Sequence, residues 1–366
     1  MQIPVAVAVK ALALTCCSVA TAYVSLWVIH TNASIADALL WSVAQWIPMT
    51  SVHNTLTRAA WNRWEREENT QSAAKPHSLL NTPTVDVSLY LSSEELSKAI
   101  EYQHGNDWRR RPLLLKNLWS QEDLSSQTRR LSLRGLLQES MTIPYFTNSA
   151  LPKALSPDAT APLSEILLNI TKGVPHKIAT QLVLERYPEL LKEVAPTSIL
   201  TPLFGNYFTP FSLTTTRLTT VPLFIGGHHP SSSQVVVKTE LHCEPIANIA
   251  VQLEGTKVWT LIDPTQWWKL RPSLAADGRA FVYSNMESNA LQQGRYETIT
   301  LTTHAGDALY LPTWTWHRVD YNNGTSVSIG ASLFHFRVGD FWMRNPLFAI
   351  LIVPALIKEV VGWNTQ

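Results

Sequence analysis

Three residues in the second half of this chain have the types and spacing to hold a metal ion. His242 and Glu244 stand two apart in TELHCEPIANIAVQLEGTKVW, residues 239–259. On a β-strand successive side chains alternate between faces, so these two point the same way while Cys243 points the other. His317 closes GDALYLPTWTWH, where an apolar strand leads into a histidine flanked by tryptophan. Two histidines and one carboxylate on one face of a metal leave coordination positions open, the arrangement of non-haem Fe(II) centres that activate oxygen. An H-x-E pair by itself reads equally as a surface-facing pair or as a core histidine with its hydrogen bonds satisfied. Lys257 reads equally as a solvated lysine beside the turn at Gly255 or as a buried ammonium. In the second case it needs an anionic partner, because an unpaired buried charge is costly.

The elements around these residues give the context. From Leu223 the chain breaks into short β-like runs, QVVVKTELH, NIAVQLEG, TKVWTLID, ETITLTTH, DALYLP and TSVSIGASLFHF, with Gly255 and Gly306-Asp307 as turn residues between them. Many short strands at this spacing predict a sandwich or barrel. The half before it is mixed. TPTVDVSLYLSSEEL predicts a short strand and then a helix with a capping box of Ser92 and Glu95, and RPLLLKNLW predicts a buried strand. PHKIATQLVLERYPELLKEV has apolar residues at helical spacing and predicts an amphipathic helix over 175–194. The fold class is therefore mostly β with flanking helices.

The chain has 366 residues, 45% hydrophobic and 16% charged, with a formal net charge of +1. That balance, without a large Lys/Arg cluster, gives no support to nucleic acid as a partner. Of three cysteines only Cys243 lies beyond the apolar N-terminal run, which excludes a disulfide scaffold and a cysteine-rich zinc site. Residues 11–29, ALALTCCSVATAYVSLWVI, are nineteen without a formal charge, close to the roughly 20 that cross a bilayer. Lys10 and the terminal amine before them favour a cytosolic N-terminus, a single-pass membrane protein and a luminal domain in the secretory pathway. A cleaved signal peptide is the rival reading. Residues 35–49, with Trp41 and Trp46, suit a helix lying at the membrane surface or packed on the domain. The expected organisation is an anchor or signal segment at 1–31, a stem at 32–83, the β-rich domain at 84–345 and an apolar helix at 346–366. That last helix suits docking or a homodimer contact better than a second span.

LFIGG, TELHCEP, NIAVQLEGTKVWTLIDP and GDALYLPTWTWHRV, in that order between Leu223 and Phe336, resemble the cupin-like branch of the Jumonji C (JmjC) family of Fe(II)- and 2-oxoglutarate-dependent oxygenases. The likeness runs more faintly back to Thr84 through RPLLLKNLW. It implies a double-stranded β-helix (cupin, jelly-roll) core, with His242, Glu244 and His317 as both metal ligands and catalytic centre. It further implies that Lys257 holds the distal carboxylate of 2-oxoglutarate, that Thr239 assists through its hydroxyl, and that Asn248 lines the cosubstrate pocket. Trp259 and Trp316 are expected in the core, and His304 and His335 are expected to be structural. His228 and His229 are expected in a loop at the barrel mouth. Two departures stand out. Gly330 occupies the place where several relatives carry asparagine, so one cosubstrate contact is expected to be missing, and Tyr187 and Tyr207 are the candidates for an upstream tyrosine. The implied activity is hydroxylation of a protein side chain or a small molecule. The rival from another class is a non-catalytic metal-binding cupin acting as a binding or scaffold module. Histone demethylation fits poorly with a membrane anchor and a neutral charge.

Overall fold

The computed structural model describes residues 83–360 apart from single residues and loops, the longest being 148–156, 197–220, 228–236, 287–297 and 322–326. The anchor run at 11–29, apart from Thr21, and the segment at 35–49 lie outside the described residues. Among the described residues no helix is long and apolar enough to cross a membrane.

Among the described residues fifteen strands form three sheets: β1 (Thr84–Asp86), β2 (Leu113–Lys116), β3 (Thr142–Tyr145), β4 (Ala159–Pro162), β5 (Lys177–Thr180), β6 (Leu223–Gly226), β7 (Lys238–Cys243), β8 (Ala247–Glu254), β9 (Thr256–Ile262), β10 (Pro272–Leu274), β11 (Val282–Ser284), β12 (Thr298–His304), β13 (Ala308–Leu311), β14 (Trp316–Asp320) and β15 (Ser328–His335). One sheet has the order β1-β2-β13-β8-β15-β6-β5, a second has β10-β11-β7-β14-β9-β12, and β3 and β4 make a small hairpin sheet. From β6 to β9, and again from β12 to β15, successive strands alternate between the two large sheets. This alternation fits the expected jelly-roll. The β8–β9 turn is sharp, and Gly255 meets its φ of 70° without the cost a side chain would bring.

Among the described residues three cores follow from the alternation of side chains. Between the sheets lie Ala250, Trp259, Leu261, Ile299, Leu309, Leu311, Val319 and Tyr321. The other face of the first sheet, with Ile249, Val251, Ala331 and Leu333, is covered by the N-terminal half, including Leu96 and Ile100 of the helix Ser93–His104 and Ile166, Leu167 and Ile170 of the helix Leu163–Thr171. The outer face of the second sheet, with Leu241, Cys243 and Trp316, is covered by Phe341, Phe348 and Ile352 from the helices Val338–Arg344 and Pro346–Val360. The apolar C-terminal helix thus docks on its own barrel and leaves Ile350 and Ile357 exposed.

Local expectations met the structure unevenly. Ser92 caps the helix Ser93–His104, its Oγ accepting from the Glu95 amide at 3.2 Å. RPLLLKNLW supplies β2. The amphipathic helix over 175–194 does not exist: Lys177–Thr180 is β5, paired with β6, and only Leu182–Arg186 is helical before Pro188 starts a 3-10 turn. Sheet pairing overrides the helical spacing, and proline, lacking an amide proton, breaks what remains. His317 does not end the strand of GDALYLPTWTWH. That stretch is β13, a turn and the start of β14.

Candidate metal centre

His242 on β7 and His317 on β14 are register partners. Antiparallel pairing puts both rings on one face, their centroids 4.3 Å apart. Glu244 follows directly after β7, with Oε1 3.7 Å from His242 Nε2. The ligand atoms of the three residues lie within 4.8 Å of one another, and all three residues are buried. Each imidazole is oriented by a backbone carbonyl: His242 Nδ1 lies 2.7 Å from Glu240 O and His317 Nδ1 lies 3.0 Å from Thr315 O. A carbonyl accepts only an N–H, so Nδ1 carries the proton and Nε2 presents its lone pair to the centre.

Burial holds both histidines neutral, pulling each to about 4. Burial also pushes the Glu244 carboxyl up to about 7, with His317 drawing it partly back. A carboxylate and two imidazole lone pairs aimed at one point in a dry site are costly by themselves and are satisfied by a cation. The donor set could hold a metal ion, and two histidines with one carboxylate suit iron with positions left open.

The turn between β13 and β14 fixes Glu244. Trp314 sits at φ 63°, uncommon for a bulky residue. Its amide donates to Glu244 O at 2.9 Å and its indole N–H donates to Phe341 O at 3.0 Å. Its ring stacks on Phe341 at 5.7 Å and meets Phe348 edge-on at 5.6 Å. The C-terminal helices therefore brace the carboxylate ligand through one tryptophan.

A second polar group lies in the same interior. Lys257 on β9 is 4% exposed. Its Nζ donates to Phe224 O at 3.3 Å and lies 5.2 Å from the Tyr321 ring centroid. It has no carboxylate partner among the described residues, and burial pulls its ammonium down to about 7. Gly330 explains how it fits: a Cβ there would come 2.5 Å from Lys257 Nζ and 3.0 Å from Val251 O. The glycine is space for the lysine. Asn248 on β8 is buried with Oδ1 unpartnered. Thr239 is opposite Val319 after a bulge in the β7–β14 register, which returns it to the face of His242 although it is three residues away. It is hydrogen-bonded to the Tyr321 phenol, which burial pushes up to about 12.

Trp259 packs inside the barrel, 5.9 Å from the His317 ring, and donates to Thr303 Oγ1 at 3.0 Å. Trp316 and Cys243 face the outer core. His335 is buried beside Tyr310, their rings 6.3 Å apart, and His304 lies 3.6 Å from Asp307. Tyr187 lies under the Arg130 guanidinium, 4.0 Å from its ring centroid. His228, His229 and Tyr207 fall outside the described residues. Sequence reasoning missed Tyr283, stacked 5.8 Å from His242, because β11 carries no signal of its own. It also missed Tyr321, although counting by twos from His317 through Val319 leads to it just past the end of β14.

No curated protein sequence matches the chain. A family profile described as "Cupin-like domain" matches residues 109–334. The match opens just before β2, ends inside β15 and spans more than half of the chain, and on that ground the chain belongs to the cupin-like domain family.

Proposed function

We propose that the chain is an Fe(II)- and 2-oxoglutarate-dependent oxygenase that hydroxylates a protein side chain or a small molecule. The observation that carries this reading is a pair of unmet needs in one interior: a neutral-imidazole metal triad, and a buried ammonium with no carboxylate among the described residues. A metal-binding scaffold accounts for the first alone. Lys257 lies four residues along β9 from Leu261, the register partner of His317, about 13 Å of strand. A short dicarboxylate that chelates the metal at one end can bridge that span with the lysine side chain reaching towards it.

Bound in this centre, Fe(II) with 2-oxoglutarate supplies oxygen activation coupled to decarboxylation of the cosubstrate to succinate. The chain's own residues then have separate tasks. His242, Glu244 and His317 hold three positions and leave the others open. Lys257 neutralises the far carboxylate, with the hydroxyls of Thr239 and Tyr321 on the same face. Asn248 offers its unpartnered amide oxygen to a donor in the pocket. Trp259, Leu261 and Val319 keep water from the interior between the sheets.

The test is Fe(II)-dependent conversion of 2-oxoglutarate to succinate by the anaerobically purified chain. The expected result is turnover that is lost in both His242→Ala and Lys257→Ala. A protein that takes up the metal yet neither binds nor consumes 2-oxoglutarate would instead be a metal-binding module.

A further inference from the structure

The strand pairings that bring the metal ligands together also run a row of side chains across the inner face of the second sheet. Ser273 on β10 pairs with Tyr283 on β11, Tyr283 with His242, His242 with His317, His317 with Leu261, and Leu261 with Ile299 on β12. Register partners on adjacent strands point to the same side. Val282 packs with Cys243 in the outer core, so Tyr283 and, two residues before it, Phe281 face the interior.

The row is buried at both ends and opens at one member. Ser273, His242, His317, Leu261 and Ile299 are each at most 6% exposed, whereas Tyr283 and the neighbouring Phe281 are half-buried. Trp259, which approaches His317 from the far side, is buried. On the first sheet Asn248 and its register partner Phe334 are buried as well. Among the described residues the centre therefore meets solvent past two aromatic rings.

Those rings form a corner against a metal ligand. Tyr283 stacks on His242 at 5.8 Å, Phe281 meets the same imidazole edge-on at 6.1 Å, and the two rings stand at 84° with centroids 6.3 Å apart. Aromatic carbon left half in water beside a dry centre gains when an apolar group covers it. Apart from the ligands the row carries no charge, so an ionised group laid along it would give up its water without compensation.

We infer that Phe281 and Tyr283 are the wall on which the substrate lies, and that the group brought to the metal is a neutral hydrocarbon, aliphatic or aromatic. The word substrate rests on the oxygenase reading; the apolar wall does not.

The electronic absorption of Co(II) bound to the full chain tests this without turnover. N-acetylleucinamide and N-acetylphenylalaninamide are expected to perturb the cobalt bands, and the corresponding aspartate and lysine amides to leave them unchanged at the same concentration. Tyr283→Ala and Phe281→Ala should each weaken the response to the apolar amides about tenfold, with Tyr283→Phe retaining it. If Tyr283→Ala fails to fold, the half-buried Phe281 carries the test. A response to isopentanol equal to that of the leucine amide assigns the group to a small molecule, and a response to the amide alone assigns it to a peptide. Arg279 lies over Phe281, 5.2 Å from its ring centroid, and bands that answer as strongly to the aspartate amide would make the guanidinium, not the rings, the reader. That result overturns the wall, as does a response unchanged in both alanine variants or none to either apolar amide. A chain that answers to the apolar amides through these rings but never consumes 2-oxoglutarate keeps the wall and loses the oxygenase reading. One that consumes 2-oxoglutarate with a cobalt response indifferent to both residues loses the wall alone.

Discussion

Replacing Lys257 with methionine is expected to make the ligand-free protein more stable while removing its hold on a dicarboxylate. Lysine ordinarily titrates near 10.5, and burial in the barrel pulls Lys257 to about 7. Between those values the unfolded chain binds a proton that the folded protein has shed, so stability rises with pH through that window and the penalty is full below pH 7. A gap of this size is worth about 5 kcal/mol at pH 6 and about 2 kcal/mol at pH 9. Methionine keeps most of the volume at a packing cost of about 1 kcal/mol. Urea unfolding of the metal-free proteins at the two pH values reads the difference directly. The variant should lead by about 4 kcal/mol at pH 6 and about 1 kcal/mol at pH 9. Saturating 2-oxoglutarate should stabilise the wild type and leave the variant unmoved. A lead that does not change with pH, or a variant less stable at pH 6, would mean that the ammonium is already paired, and the argument from its unmet charge would fall.

Metal uptake should release close to one proton at pH 6 and almost none at pH 8.5, because Glu244 titrates at about 7 and the histidines at about 4 in the empty fold. Calorimetry in buffers of different ionisation heat measures it, and release of two protons at pH 6 would contradict the neutral imidazoles. Gly330→Ala brings a Cβ within 2.5 Å of Lys257 Nζ. It should weaken 2-oxoglutarate about tenfold, equivalent to about 1.4 kcal/mol, and leave metal affinity alone. Unaltered 2-oxoglutarate binding would separate the glycine from the lysine's placement.

What could be read from the sequence was what strand alternation alone determines. His242 and Glu244 share a face because they are two apart, and Cys243 takes the opposite face for the same reason. The β8–β9 turn was legible in Gly255. The fold's other half was hidden because it depends on pairing between distant segments. Lys177 was obscured by a helical spacing that pairing with β6 overrides. Thr239 reaches the face of His242 only through a bulge, which counting by twos gets wrong. Trp314 looked like part of a strand, yet its left-handed backbone separates β13 from β14 and grips the Glu244 carbonyl. Gly330 read as a loss, and only the position of the Lys257 ammonium turned it into a space requirement.

The bond from Trp314 to the C-terminal helices also sets an order in time. All three ligands are synthesised before Phe341 and Phe348, the residues that clamp Trp314. A chain still emerging from the ribosome has its histidines and its carboxylate before the clamp exists, and a cation met at that stage finds loosely held donors rather than a centre. The bracing of Glu244 through Trp314 is therefore complete only once residues through Phe348 have been made.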